Sequence, residues 1–232
     1  MLNSLTVSKS QNDKQHKENS MKIFVVGANG RVAQALIKNL VQQHHQIVAG
    51  ARSPEKVTKN HNVIPVKIDL HDDIETLSKI IINVDVIYFV AGSRSKDLLQ
   101  TDAFGALKVM EVARINQIPR FIMLSSAFSL EPQKWHNPAM ASLLDYNIAK
   151  FFADNYLVNQ TSLNYTILQA TALTETTGTH KISINEEAQA KNSIQNVAET
   201  LAEIINHDQT IKQVIKMSDG NTAISEALES IK

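Results

Sequence analysis

From Lys22 onward the chain alternates between two kinds of apolar pattern. Ile23–Val26 is an unbroken apolar run rich in β-branched residues, as suits a strand covered on both faces of a parallel sheet. It stops at Gly27. Val32, Ala33, Leu36, Ile37, Leu40 and Val41 then recur at helical spacing, and the pattern fades at His44-His45. The same alternation continues. Further strands are predicted at 47–51, 63–68, 85–90, 121–124 and 163–168. Helices are predicted over 72–82, 95–116 and 140–159, with Pro119 barring continuation of the second of these. A small strand at 181–184, a helix over 194–205, a strand at 213–217 and a closing helix over 223–231 complete the chain. There are no internal repeats.

Strands alternating with helices predict an α/β fold of Rossmann type: a doubly wound, mainly parallel sheet in a single domain over residues 21–232. The length of 232 residues fits one such domain with a sizeable core. Residues 1–20 are polar and rich in Lys, Gln, Asn and Ser, too poor in apolar area to offset the entropy of ordering, so a flexible tail is expected there. Met21, directly before the fold signal, would serve as an alternative translation start.

Composition removes several functions. The 23 Lys and Arg balance the 23 Asp and Glu, so nucleic acid and anionic membrane are not expected as main partners. No cysteine is present and the eight histidines fall in no metal-binding pattern, so no metal site is expected. No apolar run is long enough to span a bilayer, and the first 20 residues lack the apolar stretch of a secretory signal. A cytoplasmic protein is the expectation.

The chemistry begins at Gly27-Ala28-Asn29-Gly30-Arg31-Val32-Ala33. Strand, glycine turn and amphipathic helix is the setting of a dinucleotide-binding βαβ unit. Gly27 allows the tight turn, and Gly30 allows backbone to approach a pyrophosphate. Asn29, Arg31 and Val32 complete the cradle, where the first N–H groups of the helix face the phosphates. The bland alternative is a βα turn whose glycines serve packing alone. About 20 residues on, where such folds hold the adenosine ribose, there is no carboxylate from Ile47 to Ser53. Arg52 and Ser53 stand there instead, which suits a 2′-phosphate. NADP(H) is therefore preferred, with NAD(H) possible; a solvated arginine is the other reading. Asp69, with Leu70 beside it, ends the third strand and either accepts from the adenine amino group or caps the next helix. Ala91 and Gly92, ending the fourth strand, would let a nucleotide pass closely.

Tyr146 and Lys150 are four apart on a predicted helix and so share a face. An ammonium beside a phenol favours the phenolate, giving an acid–base group for a carbonyl or carbinol, while the Lys also holds a ribose hydroxyl. A Ser126 hydroxyl could fix the substrate oxygen, and Ser125 lies beside it at the cofactor. The irregular stretch 127–140 leaves the same end of the sheet, so Phe128, Trp135 and His136 are candidate substrate-lining residues; Trp135 could equally be buried beneath the loop.

Taken together, the Gly27–Ala33 turn, Asp69, Ser125-Ser126 and Tyr146/Lys150 resemble the short-chain dehydrogenase/reductase superfamily. The length, and the strand Leu163–Leu168 followed by small residues, resemble its compact atypical branch, with the NmrA-like and biliverdin/flavin reductase-like proteins. The resemblance spans roughly 21–230. It implies Tyr146 as general acid/base, Lys150 as its electrostatic partner and Ser126 as ligand of the substrate oxygen. Two departures stand out: Ala33 replaces a third glycine, and Gln169-Ala170-Thr171 stands where many such proteins carry Arg-Pro-Gly near the nicotinamide. The short region after the sixth strand disfavours a nucleotide-sugar substrate. The leading expectation is a reductase of a small carbonyl-like substrate. The alternatives are a non-catalytic redox sensor with a protein partner, and a flavin or tetrapyrrole reductase. Leu98-Leu99 or Phe151-Phe152 could pair two copies, so monomer and homodimer both stay open.

Overall fold

The computed structural model describes residues 20–135, 142–185 and 191–232. Strand β1 (Lys22–Val26) leads through the glycine turn into helix α1 (Arg31–Gln42), followed by β2 (Gln46–Ala51) and β3 (Val63–Lys67). Next come α2 (Ile74–Ile80), β4 (Val86–Phe89), a wide π-helical turn (Leu98–Phe104) and α3 (Gly105–Ile115). Then β5 (Arg120–Ser126), α4 (Leu144–Gln160) and β6 (Asn164–Ala170) follow. The remainder is β7 (Leu173–Thr174), β8 (Lys181–Ile184), β9 (Asn192–Ser193), α5 (Ile194–Ile204), β10 (Gln213–Asp219), β11 (Thr222–Ala223) and α6 (Ile224–Glu229).

The main sheet runs β11-β8-β10-β6-β5-β4-β1-β2-β3. From β3 to β10 every neighbour is parallel; β8 and β11 close one edge antiparallel. The chain winds outward in both directions from β1 and β4, which opens a crevice beyond their carboxyl ends. β7 and β9 form a separate parallel pair beside it.

β1 explains why a continuous apolar run was needed. Ile23 and Val25 join the core layer beneath α1 and α5, while Phe24 and Val26 join the layer beneath α2, α3 and α4. Of the six helix positions read from spacing in α1, Val32, Ala33, Leu36, Ile37 and Leu40 are buried and Val41 is half-buried. Asp73, not Asp69, caps α2, its carboxylate accepting from Thr76 N–H at 2.7 Å. No helix among the described residues is long and apolar enough to cross a membrane.

The clearest difference from the periodic reading lies at 95–116. One helix was expected with Leu98, Leu99 and Ala103 on its buried face. Across the wide turn Ala103 is buried as expected and Leu98 half-buried, but Leu99 is 71% exposed and Asp102 is fully buried. Gly105 makes the junction with α3 possible, since a Cβ there would lie 2.8 Å from the Gln100 carbonyl oxygen and 3.1 Å from Leu70 Cβ. Of the helix expected from residue 140, the first residues lie outside the described ones, and α4 is defined from Leu144.

Candidate dinucleotide cleft

The crevice at the carboxyl ends of the strands is a cleft of about 710 Å³. The β1–α1 turn forms one wall. Gly27 (φ +89°) and Ala28 both donate backbone hydrogen bonds to the Gly50 carbonyl, at 3.0 and 2.9 Å, and Gly30 N–H donates to Gly27 O at 2.8 Å. Gly30 takes the N-cap position of α1 without a side-chain cap, so the first-turn N–H groups point into the cleft unsatisfied by the helix itself. Asn29 Nδ2 donates to Ser53 O at 2.8 Å, pinning the turn to the end of β2, while Asn29 Oδ1 is buried without a partner.

Of the residues singled out from sequence, Gly27, Asn29, Gly30, Arg31 and Val32 line this cleft. So do Arg52 and Ser53, Asp69 and Leu70, and Ala91 and Gly92. Tyr146 and Lys150 reach it from α4. Asp69 also accepts from His71 N–H at 3.0 Å, a local turn rather than a helix cap. Buried Ser125 and half-buried Ser126 are not among the residues that line it. Ser126 Oγ donates to Asn147 Oδ1 at 3.4 Å, and buried Ser125 faces Asp154.

Phe128 and Trp135 do not line the cleft. Trp135 is 8% exposed, its indole N–H donates to Phe128 O at 2.9 Å, and its ring meets Phe151 edge-on with centroids 5.9 Å apart. Phe128 lies under the ammonium groups of Lys134 and Lys216, 4.5 and 5.6 Å from the ring centroid. These aromatics knit the loop onto the body of the domain. His136 lies outside the described residues.

Charge favours an anionic ligand. Among the described residues, Arg31, Arg52, Lys56, Arg94 and Lys150 line the cleft, against Asp69 and Asp102. Arg31 pairs with Glu175 at 2.5 Å. Arg52 is exposed and makes no hydrogen bond among the described residues. Arg94 and Ser95 both adopt left-handed backbone, φ +53° and +61°, a conformation non-glycine residues adopt under constraint, often at sites of function. The glycine cradle, the unsatisfied N–H groups, the orphaned Asn29 oxygen and this excess of cations all fit a dinucleotide.

Sequence spacing missed the polar core behind Tyr146. Lys150 Nζ lies 5.6 Å from the Tyr146 ring centroid and 3.3 Å from Asp102 Oδ1. Burial alone would push this ammonium down, but Tyr146, Asp102 and Asp154 outweigh it and hold the group above the ordinary lysine value. One turn further along α4, Asp154 Oδ2 accepts from Ser129 Oγ at 2.5 Å. Gln169 Nε2 donates to Ser129 Oγ at 2.7 Å. The first residue of Gln169-Ala170-Thr171 is thus a buried strut under α4, not part of the cleft wall.

Burial pushes the Asp154 carboxyl up to about 6, against the opposing pull of Ser129, Ser125, Lys150 and Gln169. A carboxyl raised above its ordinary 3.8 in the folded state adds stability below that value and loses it as pH rises through the folded pKa. Asp154→Asn removes this dependence while keeping an acceptor for Ser129. The variant should gain on the wild type by about 3 kcal/mol between about pH 4 and about pH 7. For a domain of this size that is roughly 6–12 °C in melting temperature. Thermal melts across that range check it; parallel curves for the two proteins would show that Asp154 ionises as an ordinary surface carboxyl.

Comparison with known proteins follows the same lines. A family model described as NAD(P)H-binding matches residues 27–208. The crystal structure of the oxidoreductase ylbE from Lactococcus lactis superposes with a TM-score of 0.89 at 46% identity, covering 91% of this chain and 96% of that one. The Bacillus subtilis protein named uncharacterized sugar epimerase YhfK is 30% identical over 220 residues, 91% of this chain and all of the relative. The UPF0659 protein YMR090W of Saccharomyces cerevisiae is 29% identical over 227 residues, 91% and 99% of the two chains. The chain therefore belongs to the NAD(P)H-binding family of Rossmann-fold proteins.

Proposed function

We propose that this protein is an NADP(H)-dependent reductase of a small carbonyl-like substrate. One observation carries the reading: Tyr146 and a buried, charge-stabilised Lys150 open into the same cleft as the Gly27–Gly30 turn. A bound reduced dinucleotide would supply a hydride to the carbonyl carbon and leave oxidised. The chain supplies the rest. Backbone N–H groups at the start of α1 hold the diphosphate. Tyr146 gives its phenolic proton to the substrate oxygen as the C=O becomes CH–OH. Lys150 stabilises the phenolate that remains and takes a ribose hydroxyl. Ser126 reaches the substrate oxygen once its weak 3.4 Å bond to Asn147 is exchanged. We assign the 2′-phosphate to Arg52 with Ser53, near the cationic Lys56, and the adenine to Asp69 and Leu70. Ala91 and Gly92 shape the passage between them.

Calorimetric titration with NADPH and NADH, followed by NADPH oxidation against a carbonyl and quinone panel, tests this. NADPH should bind more tightly than NADH and be consumed with at least one carbonyl. No binding of either dinucleotide sinks the reading. Binding without turnover of any substrate would favour the redox sensor, and oxidation that requires added flavin would favour a flavin reductase. The sugar-epimerase name of the Bacillus subtilis relative suggests a second use of the same groups. Epimerisation returns the hydride, so it would appear as substrate isomerisation with no net change in NAD(P)H absorbance.

The cofactor preference makes its own prediction. Arg52→Ala should weaken NADPH binding about 10–100-fold, the worth of a charge-assisted contact. NADH binding should stay within about twofold. Equal losses for both dinucleotides would remove the 2′-phosphate from Arg52.

A further inference from the structure

Lys150 is faced by two buried carboxyl groups, and they differ. Asp154 and Tyr146 lie one turn to either side of Lys150 on α4 itself. Asp102 comes from a different element, the π-helical turn before α3. It is fully buried. One of its oxygens lies 3.3 Å from Lys150 Nζ, and the other accepts from Ser93 N–H at 2.9 Å. Asp154 is engaged through Oδ2 by Ser129 and Gln169, on α4 itself, while its Oδ1 is buried without a hydrogen-bond partner.

We infer that Asp102 is the positioning residue for Lys150, anchoring its ammonium to the backbone at the carboxyl end of β4 and so fixing where the positive charge sits in the cleft. The inference rests on the reading of Tyr146 and Lys150 as the acid–base pair. Lysine has a flexible four-carbon stem and a compact charge, so neighbours on its own helix fix the height of the ammonium but not its sideways reach. A carboxylate on a second element, itself held by a backbone N–H, supplies the missing restraint. The anchor runs along the predicted path of the dinucleotide. Ser93 follows Ala91-Gly92, and a Cβ at Gly92 would lie 3.4 Å from Asp102 Oδ1. Leu99 and Asp102 are three apart and would share a face in a regular helix; across the wide turn Asp102 is buried and Leu99 exposed, so the turn seats the carboxylate alone. Such turns recur where function requires a side chain to be re-aimed.

The groups facing Lys150 are Tyr146, Asp154 and Asp102. Removing the negative charge of Asp102 leaves burial opposed by less, so the ammonium should lose its proton at lower pH. The test uses the full chain labelled with 15Nζ-lysine, with Lys150→Met assigning the resonance, so it requires no substrate. In Asp102→Asn the Lys150 titration should fall by about one pH unit or more. Asp154→Asn should move it less. Turnover of Asp102→Asn should fall about 10–100-fold, the cost of a misplaced catalytic group, with the basic limb of the kcat profile moving in step and KM changing little. An unmoved titration in Asp102→Asn, or an equal shift in Asp154→Asn, overturns the proposal. If instead Lys150→Met and Tyr146→Phe both turn over as wild type, the acid–base reading has failed, whatever the resonance does. Should Asp102→Asn not fold, the Asp102→Asn/Lys150→Met double variant is compared with Lys150→Met alone. Folding of the double variant as well as the single supports the pair. An unfolded double variant means that Asp102 holds the turn rather than the lysine, and the proposal falls.

Discussion

Tyr146→Phe should lower turnover about 10²–10⁴-fold, the usual worth of a positioned general acid, while leaving dinucleotide affinity within about twofold. The variant removes one oxygen and keeps the ring, so the packing of α4 against β5 and the cation–ring contact with Lys150 at 5.6 Å both survive. The cleft wall and the β1–α1 turn are untouched. A loss in kcat without a loss in binding therefore isolates proton delivery. The measurement is NADPH oxidation with the best substrate from the carbonyl panel, beside calorimetric titration of the same preparation. Full activity in the variant removes Tyr146 from the mechanism and points to an open-cleft hydride transfer of the flavin-reductase kind. A fall in both kcat and affinity would mean that the phenol holds the cofactor rather than the substrate proton.

How far the sequence carries this picture depends on the distance over which each signal acts. The β1–α1 unit was legible because its requirements are local: a strand apolar on both faces, a glycine turn, then helical spacing. Tyr146 and Lys150 were legible because four residues on a helix always share a face, and Arg52 because its distance from the turn is set by one helix and one strand. Asp102 was not. An apolar pattern is read at a constant helical period, and the wide turn at Leu98–Phe104 breaks that period, exchanging the expected buried Leu99 for an aspartate. The composition of 95–105 gave one usable hint. Gly105 sits inside an otherwise good helical run, and a glycine there generally has a packing reason; here it is the close approach to Gln100 and Leu70. The loop after β5 left two readings open for Trp135, and the fold selects burial beneath the loop. Trp135 and Phe128 carry no periodicity, so their exposure depended on partners, Phe151, Lys134 and Lys216, that are distant in sequence or visible only in the fold. Gln169 likewise gained its meaning from register. It lies beside Ser125 across β5 and β6, which places both residues beneath α4 near Asp154.

Gly27→Ala should abolish measurable dinucleotide binding, a loss of about 100-fold or more, and lower the melting temperature as well. The two losses have one origin. Gly27 holds φ +89°, where an L side chain is strained by about 1–3 kcal/mol. Its added Cβ would also lie 2.6 Å from Ala91 Cα and 2.8 Å from Ala91 N. Those atoms are backbone, so no side chain can swing aside. Relief requires either β4 to draw away from β1 or the turn to release its hydrogen bonds to Gly50, and both movements displace the first N–H groups of α1. Gly30→Ala provides the contrast. Gly30 has an ordinary φ of −68°, and its Cβ would lie 3.2 Å from Gly27 O and 3.9 Å, an ordinary contact, from Ala33 Cβ. That variant should melt close to the wild type yet bind NADPH more weakly, because its methyl stands where the pyrophosphate must approach. Thermal melts and calorimetric titrations of both variants separate strain from obstruction. If Gly27→Ala binds NADPH like the wild type, the turn is a packing device and the phosphates lie elsewhere. If Gly30→Ala melts as low as Gly27→Ala, crowding within the turn, rather than the left-handed backbone and the press of Ala91, governs its stability.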